Sequence, residues 1–373
     1  MNKLKIVFCI NSLEKGGAER VITNLANYFS DKYTVYIITL YNSIQAYKTN
    51  DNIIIYSLDK QTKKLNVQQI YQENKIKKVF ELLRRRKKLK SILKEINPDI
   101  IISFLVKSNF TVLLSKPKNC KVIISERNDP NQEYNNFINN TFMKKLYPKA
   151  DGIIYQTNEA KKFFEGIIKC PSEIIPNPIN DKFIIEKPYQ GIRDHEIVSV
   201  GRLEEQKNFK CLIKAFSKVN SSYPNYKLTI YGEGTKRKEL EELIKELNLD
   251  KVVELPGQAD DIEKKIFKAK CFVLSSNYEG MPNALMEAMA LGLPVISTDC
   301  PCGGPKDLIV NNKNGILVSV NNDEEIKNGI IKIIEDDTFS KMMSENACSI
   351  SKELNPTVIN NRWEEFILKI FNE

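Results

Sequence analysis

Three short segments combine residue types that could hold an anionic, sugar-bearing ligand. In SSNYEGMPNALMEAMALGLPVISTD (275–299), Glu279 lies on a loop and Glu287 on the helical stretch that follows. Ser-Ser-Asn-Tyr reads as a strand end, Glu279-Gly280-Met281-Pro282 as a loop and Asn283 as an N-cap. The helix should run to Leu291, with Gly292 as its stop. Glu287 sits among Leu285, Met286, Ala288 and Met289. A carboxylate on so apolar a helix needs a partner, because burying a lone charge is costly, and a ribose diol would serve. In VGRLEEQKN (200–208) a strand ends at Gly201, and Arg202 and Lys207 follow in a short loop. These cations could hold a diphosphate, the guanidinium forking across oxygens and the ammonium acting as a point charge, or could simply face solvent. Gly16-Gly17 separates the first strand from a helix beginning near Ala18. It would let backbone approach an anion at a helix N-terminus, or form a plain turn.

The elements that must position these loops alternate from end to end. KIVFCI (5–10), TVYIITL (34–40), IIISFLV (100–106), KVIISE (121–126) and GIIYQT (152–157) read as strands in the first half. IVSVG (197–201), KLTIYG (227–232), VVELPG (252–257), CFVLSS (271–276) and PVISTD (294–299) do so in the second, with helical segments at 208–220, 235–247, 260–269 and 283–291. Near-continuous apolar strands suit parallel sheets covered on both faces, so the fold class is α/β with two Rossmann-like domains. The Pro-containing stretch 176–196 reads as the linker. This gives an N-terminal domain over 1–180, a C-terminal domain over 191–352 and a terminal helix over 353–373. On that helix Trp363, Phe366, Ile367, Ile370 and Phe371 share one side and should dock on a domain surface.

Composition excludes several classes. A chain of 373 residues that is 42% hydrophobic can bury real cores, so wholesale disorder is ruled out. The N-terminal apolar run of about six residues ahead of Glu14 does not read as a signal peptide, and no apolar run approaches the roughly 20 residues of a spanning helix. The 8 cysteines are scattered, mostly in apolar runs, as expected of reduced core thiols in a cytosolic protein. Cys300-Pro301-Cys302 has no second pair or histidine beside it, which argues against zinc. His195 is the only histidine and reads as part of a polar connector just before a strand.

The Glu279 and Glu287 spacing is an E-x7-E motif inside an EGxPxxxxEAMAxGxPVI frame. With GGAER (16–20), the VGRL…K loop and LTIYGEG (228–234), the chain resembles retaining family 4 glycosyltransferases of the GT-B fold over essentially its whole length. SERNDP (125–130) is similar to bacterial transferases of lipid-linked oligosaccharide assembly, including N-acetylgalactosaminyl transferases. The resemblance implies two Rossmann-like domains facing across a cleft, with the C-terminal helix crossing back to the N-terminal domain. It implies that Glu287 binds the donor ribose, Glu279 a hydroxyl of the donor sugar, and the amides of Gly280, Met281, Asn283 and Ala284 the sugar and phosphate. Arg202 and Lys207 would neutralise the departing diphosphate, which Gly16 or Gly17 would approach from the N-terminal domain. The base would rest near Gly232-Glu233-Gly234 and Pro256-Gly257-Gln258. Glu279, Arg202 and Lys207 would thus be the catalytic group. No acidic cluster resembles a metal site, and the family usually works without metal; the nucleotide sugar is a substrate, so no cofactor is expected. Many relatives carry a histidine where this chain has SERND, so Glu126, Arg127 or Asn128 would have to make that contact.

The implied reaction moves a sugar, an N-acetylhexosamine such as GalNAc, from a UDP-sugar to a polyprenyl-diphosphate-linked saccharide. The enzyme would be peripheral on the cytoplasmic face of the membrane. The alternatives are a hexosyl or mannosyl transferase using another nucleotide, and a non-catalytic nucleotide-sugar-binding partner subunit. Intact Glu279, Glu287, Arg202 and Lys207 argue against the last. Residues 1–190 carry a net charge of +14 and residues 191–373 one of −5. Much of the surplus lies in KIKKVFELLRRRKKLKSILKEI (75–96), where Ile76, Val79, Phe80, Leu83, Leu89, Ile92 and Leu93 form a stripe beside Arg84, Arg85, Arg86, Lys87 and Lys88. A basic amphipathic helix reads as binding an anionic membrane surface, each cation contributing about 1 kcal/mol, or the acceptor pyrophosphate. A solvated outer face is the plainer reading. No aromatic interleaving or known module supports nucleic-acid binding.

Overall fold

The computed structural model describes residues 3–59 and 75–373, with side chains in the second stretch described from residue 80. The chain divides into two compact units, residues 1–176 with 360–373, and residues 177–359.

Among the described residues, the first unit has seven strands: β1 (Lys5–Ile10), β2 (Thr34–Thr39), β3 (Ile54–Ser57), β4 (Ile100–Phe104), β5 (Lys121–Ser125), β6 (Gly152–Tyr155) and β7 (Ser172–Ile174). They pair in parallel in the order β3-β2-β1-β4-β5-β6-β7. Every residue of β4 and β6 is buried, as expected where helices cover both faces. The apolar run 100–106 is not one strand. It breaks at Leu105, whose φ of 73° ends β4 and turns the chain into the helix Val106–Leu113. The first helix, Gly17–Ser30, starts one residue earlier than Ala18, because Gly17 already has helical geometry behind an extended Gly16.

The second unit has six parallel strands: β8 (Asp194–Val200), β9 (Lys227–Tyr231), β10 (Val253–Gly257), β11 (Ala269–Leu274), β12 (Val295–Thr298) and β13 (Ile316–Val318). Their order is β10-β9-β8-β11-β12-β13. His195 lies inside β8 rather than on a connector, because β11 and β9 pair with the polar start of that strand. Its Nδ1 meets Asn225 Nδ2 at 2.8 Å and its ring stacks on Tyr226. All 8 cysteines are free, and all but Cys170 are buried.

Both sheets are Rossmann-like, and the last helix, Pro356–Asn372, contributes its residues from Asn360 onward to the first unit. Trp363, Phe366, Ile367 and Ile370 are buried there, while Phe371 is exposed because it has turned past the docked face. Trp363 stacks on Phe104 with ring centroids 5.6 Å apart. Glu364 accepts from Lys32 at 2.6 Å and from Tyr33 Oη at 2.8 Å, and Arg362 pairs with Glu173 at 2.9 Å.

Candidate active site

In an open parallel sheet the ligand crevice lies outside the carboxyl ends of the strands where the order reverses. In the second unit that point falls between β8 and β11. The loop after β8 carries Arg202 and Lys207, and the loop after β11 carries Glu279. The topology therefore brings the loop of Glu279 beside that of Lys207, 72 positions earlier in the chain.

Lys207 Nζ donates to Glu279 Oε1, and both side chains are largely buried. The same oxygen accepts from Ser276 Oγ at 2.7 Å. The Glu279 backbone is fixed as well, its N–H donating to Pro301 O at 2.6 Å and its carbonyl accepting from Cys302 N at 2.8 Å. A mostly buried ammonium and carboxylate held at so many points form a pre-positioned charge pair, the arrangement that makes electrostatic stabilisation effective. Burial, with the Glu279 charge adding to it, pushes the Cys300 thiol up to about 12, so it stays protonated at neutral pH.

The two loops are stitched together by amides. Gln206 Nε2 donates to Tyr278 O at 3.0 Å, Asn277 N to Gln206 O at 2.8 Å, and Asn277 Nδ2 to Glu205 O at 3.0 Å. Asn208, in the left-handed region at φ 48°, donates to Asn277 Oδ1 at 3.0 Å and to Asn321 Oδ1 at 2.6 Å. Sequence reasoning missed this staple, because amides facing one another across loops leave no periodic signal. Arg202 is exposed and reaches Gln206 Oε1 at 3.4 Å.

The helix Asn283–Ala290 starts at Asn283 itself, with Pro282 in the N-cap place. Asn283 is no side-chain cap; its Oδ1 accepts instead from Asn177 Nδ2 at 2.8 Å. The first amides of a helix have no carbonyl within it to bond, so Asn283 and Ala284 present N–H groups suited to an anion. Glu287 lies one turn in and is buried. Two glycines let neighbouring loops close on this region. A Cβ on Gly304 would fall 1.7 Å from the carbonyl oxygen of Gly280, and one on Gly232 would fall 1.8 Å from that of Gly201. Gly232 N donates to Gly257 O at 2.9 Å, so these two residues adjoin the loop that carries Arg202.

In the first unit the order reverses between β1 and β4. Gly16 and Gly17 follow β1, and Gly16 O accepts from Arg20 N at 3.1 Å and Tyr47 Oη at 3.1 Å. Residues 126–128 follow β5, and each has its own environment. Glu126 is buried and does not face solvent. Its carboxylate accepts from Tyr147 Oη at 2.5 Å, Tyr134 Oη at 3.1 Å and Asn109 Nδ2 at 3.2 Å. Arg127 is half-buried, its guanidinium over the Phe104 ring 4.1 Å from the centroid with Trp363 5.4 Å away, and desolvation of that group lowers its pKa to about 9. Asn128 Nδ2 donates to Glu133 Oε1 at 2.9 Å.

Burial raises the Glu126 pKa from 4.5 to about 7, against the pull of its Tyr147, Tyr134 and Asn109 hydrogen bonds and with a contribution from the nearby Glu133 charge. Between those values the folded protein holds a proton that the unfolded chain has lost. Stability should therefore fall as pH rises from about 4.5 to about 7, by up to about 1.4 kcal/mol per unit, and level off above. Glu126→Gln mimics the protonated acid and is expected to flatten this slope. Urea titrations across the window check it: parallel slopes for variant and wild type would refute the burial-driven rise.

Among the described cations of the helix Lys75–Ile96, Arg84, Arg85, Arg86 and Lys88 are committed to this unit's own structure. Arg84 and Arg85 pair with Asp59 at 2.5 and 3.2 Å, Arg84 also pairs with Glu81, and Arg85 stacks on Tyr41. Arg86 Nε donates to Leu114 O at 2.9 Å, and Lys88 Nζ donates to the carbonyls of Ser57 and Leu58. Lys87 is exposed. The side chains of Ile76 and Val79 lie outside the described residues, whereas Phe80 and Leu83 point to solvent rather than into the core. The stripe drawn through all seven apolar positions therefore divides: Leu89, Ile92 and Leu93 are its buried part.

Comparison with known proteins gives the family and the fold. Residues 15–183 match the family Glycosyltransferase Family 4, and residues 183–349 match Glycosyl transferases group 1. The chain is 31% identical over 366 residues, 94% of its length and 95% of the other's, to the N-acetylgalactosamine-N,N'-diacetylbacillosaminyl-diphospho-undecaprenol 4-alpha-N-acetylgalactosaminyltransferase of Campylobacter jejuni. It is 37% identical over 254 residues to a glycosyltransferase of Methanocaldococcus jannaschii, an alignment that spans 62% of each chain. In fold it resembles HepE of Anabaena in complex with UDP, with a TM-score of 0.80 and 18% identity over 98% of this chain and 100% of that one. Sucrose-phosphate synthase from Thermosynechococcus elongatus gives 0.83 and 18% over 99% and 100%. With two Rossmann-like units and family matches over both, the protein is a glycosyltransferase of the GT-B type. The chain belongs to the group 1 and family 4 glycosyltransferases.

Proposed function

We propose that this glycosyltransferase moves a sugar, with retention, from a UDP-sugar to a polyprenyl-diphosphate-linked saccharide, and that the sugar is an N-acetylhexosamine such as GalNAc. The observation that carries the transfer chemistry is the buried Lys207–Glu279 pair at the carboxyl ends of β8 and β11, beside the helix that bears Glu287. The donor and acceptor classes are supported by the Campylobacter relative, whose name specifies an undecaprenol-diphosphate saccharide, and by the UDP held by HepE.

Glycosyl transfer passes through an oxocarbenium-like state while negative charge builds on the leaving diphosphate. Lys207, Arg202 and the first amides of the helix Asn283–Ala290 would stabilise that charge, so the residues at hand supply the electrostatics without a metal or organic cofactor. Glu279, already fixed through Oε1, would offer its second oxygen to a donor-sugar hydroxyl. Gly232 and Gly257 would lie near the base. Glu287 would bind the ribose hydroxyls in a low-dielectric setting, where charge-assisted hydrogen bonds contribute about 1.5–3 kcal/mol each. Glu287→Ala is therefore expected to raise the donor KM by about 10–100-fold. A KM within twofold of wild type would remove Glu287 from the donor site.

The reading as a whole is tested by a donor panel with a polyprenyl-diphosphate-saccharide acceptor in the presence of EDTA. Release of UDP from an N-acetylhexosamine donor supports it. Release of GDP would favour a mannosyl transferase, and no turnover of any donor a binding subunit. Working on such an acceptor would place the enzyme peripherally on the cytoplasmic face of the membrane. Among the described residues, no helix is long and apolar enough to cross it.

A further inference from the structure

Most large apolar side chains of the first unit are inside it, but one side of its sheet is an exception. The connections from β3 to β4, β4 to β5 and β5 to β6 all advance across the sheet in one direction, so right-handed crossovers place their helices on the same face. The helix Val106–Leu113 lies in the middle, with Lys75–Ile96 and Phe137–Leu146 packed against it. Phe110 touches Phe142 with centroids 5.8 Å apart, and Arg86 reaches Leu114 O.

The outer surfaces of the two flanking helices are mixed in an unusual way. Phe137–Leu146 buries Met143 and Leu146, yet Phe137 is 85% exposed, Ile138 56% and Phe142 37%. At helical spacing these three fall on one outward side, with exposed Lys144 and Lys145 in the last turn. On Lys75–Ile96, Phe80 is 69% exposed and Leu83 54%. Exposed Lys87, Lys90 and Lys94 continue along the same outer side. The acidic groups of that helix are Glu81, held by Arg84 and Arg85, and exposed Glu95. Protruding aromatics interleaved with lysines match an anionic lipid surface, where the rings enter the acyl boundary and the ammonium groups meet headgroup phosphates. A protein partner would favour a contiguous, flatter apolar patch with depleted lysine.

We propose that this two-helix face docks the first unit on an anionic bilayer, with Phe80, Leu83, Phe137, Ile138 and Phe142 as the inserting groups and Lys87, Lys90, Lys94, Lys144 and Lys145 as the charged rim. The proposal deepens the reading of the acceptor as membrane-borne and rests on it. It also moves the membrane contact away from Arg84, Arg85, Arg86 and Lys88, which are engaged within the unit.

The test is flotation of the full chain with vesicles of neutral phosphatidylcholine, with and without one third phosphatidylglycerol. Wild type should bind the anionic vesicles and release as salt rises. A variant with Phe137→Ser and Ile138→Ser should lose at least about tenfold in partition, and Lys144→Gln with Lys145→Gln should lose several-fold. Because these side chains are already exposed, both variants should keep the wild-type melting temperature. They should also keep the rate of UDP release with a short water-soluble acceptor, so a failed membrane claim is separable from a failed enzyme assignment. Equal vesicle binding by wild type and the double serine variant would overturn the proposal. So would a self-associated wild type that the serine variant converts to monomer, which would make the face an interface between copies.

Discussion

Lys207→Ala is expected to lower kcat by about 10²–10³-fold, the range seen when one pre-positioned charge-stabilising donor is removed. The size follows from where the ammonium sits. It follows β8 at the strand-order reversal, its stem lies over Gly201, and it is held by Glu279, whose own backbone is pinned to Pro301 and Cys302. An ammonium has three donors, and one is directed to Glu279. In the proposed reaction the others would face the oxygens on which charge develops. A structural effect accompanies the catalytic one, since removing one partner of a buried pair leaves an uncompensated charge at a cost of about 3–5 kcal/mol. The double variant Lys207→Ala/Glu279→Gln separates the two. It should recover most of the melting temperature and none of the turnover. A folded Lys207→Ala enzyme that releases UDP within threefold of wild type would remove Lys207 from the chemistry.

Trp363→Ala should destabilise the first unit by about 3–5 kcal/mol, as expected for truncating a large aromatic in a closed core. Trp363 is fully buried, stacks on Phe104 and lies beside the Arg127 guanidinium, which is itself sandwiched against Phe104. Its loss would open a cavity and loosen the desolvated guanidinium next to Glu126, so the effect should extend to the loop after β5. Denaturant unfolding followed by circular dichroism measures the loss. Trp363 is the single tryptophan of the chain, so the fluorescence of the wild type reports on this same helix. A shift of under 1 kcal/mol would show that the docked helix contributes little to the core.

Among the described residues, ten of the thirteen strands were legible, because parallel strands buried on both faces are rich in Ile, Val and Leu. The three missed, β3, β7 and β13, are edge strands of three or four residues. An edge strand has one neighbour and can be short: SEI is mostly polar, while IIYS and ILV are apolar but span only 4 and 3 residues, too few to show a period. The site was legible in its parts, since glycines, a proline and paired carboxylates mark loops at strand ends. Its internal bonding was not. Lys207 and Glu279 were assigned to different parts of a donor, and the structure joins them to each other. The basic run at 84–88 illustrates the same limit. A sequence shows five cations in a row, but only the fold shows Asp59 and two strand-end carbonyls waiting for four of them alongside Leu114 O. The tyrosines around Glu126 come from positions 134 and 147, and nothing in local spacing connects them to it.

The return of the last helix also sets an order on biosynthesis. Residues 3–176 leave the ribosome long before Asn360, so the first unit is made without Trp363, Phe366 and Ile370. Until then the sheet surface around Phe104 and Gly152, and the Arg127 guanidinium, lack their cover. The unit encoded second is contiguous and can close first, although domains more commonly mature from the N-terminus during translation. A nascent chain of this enzyme thus carries an N-terminal half without its closing helix until the last residues are made.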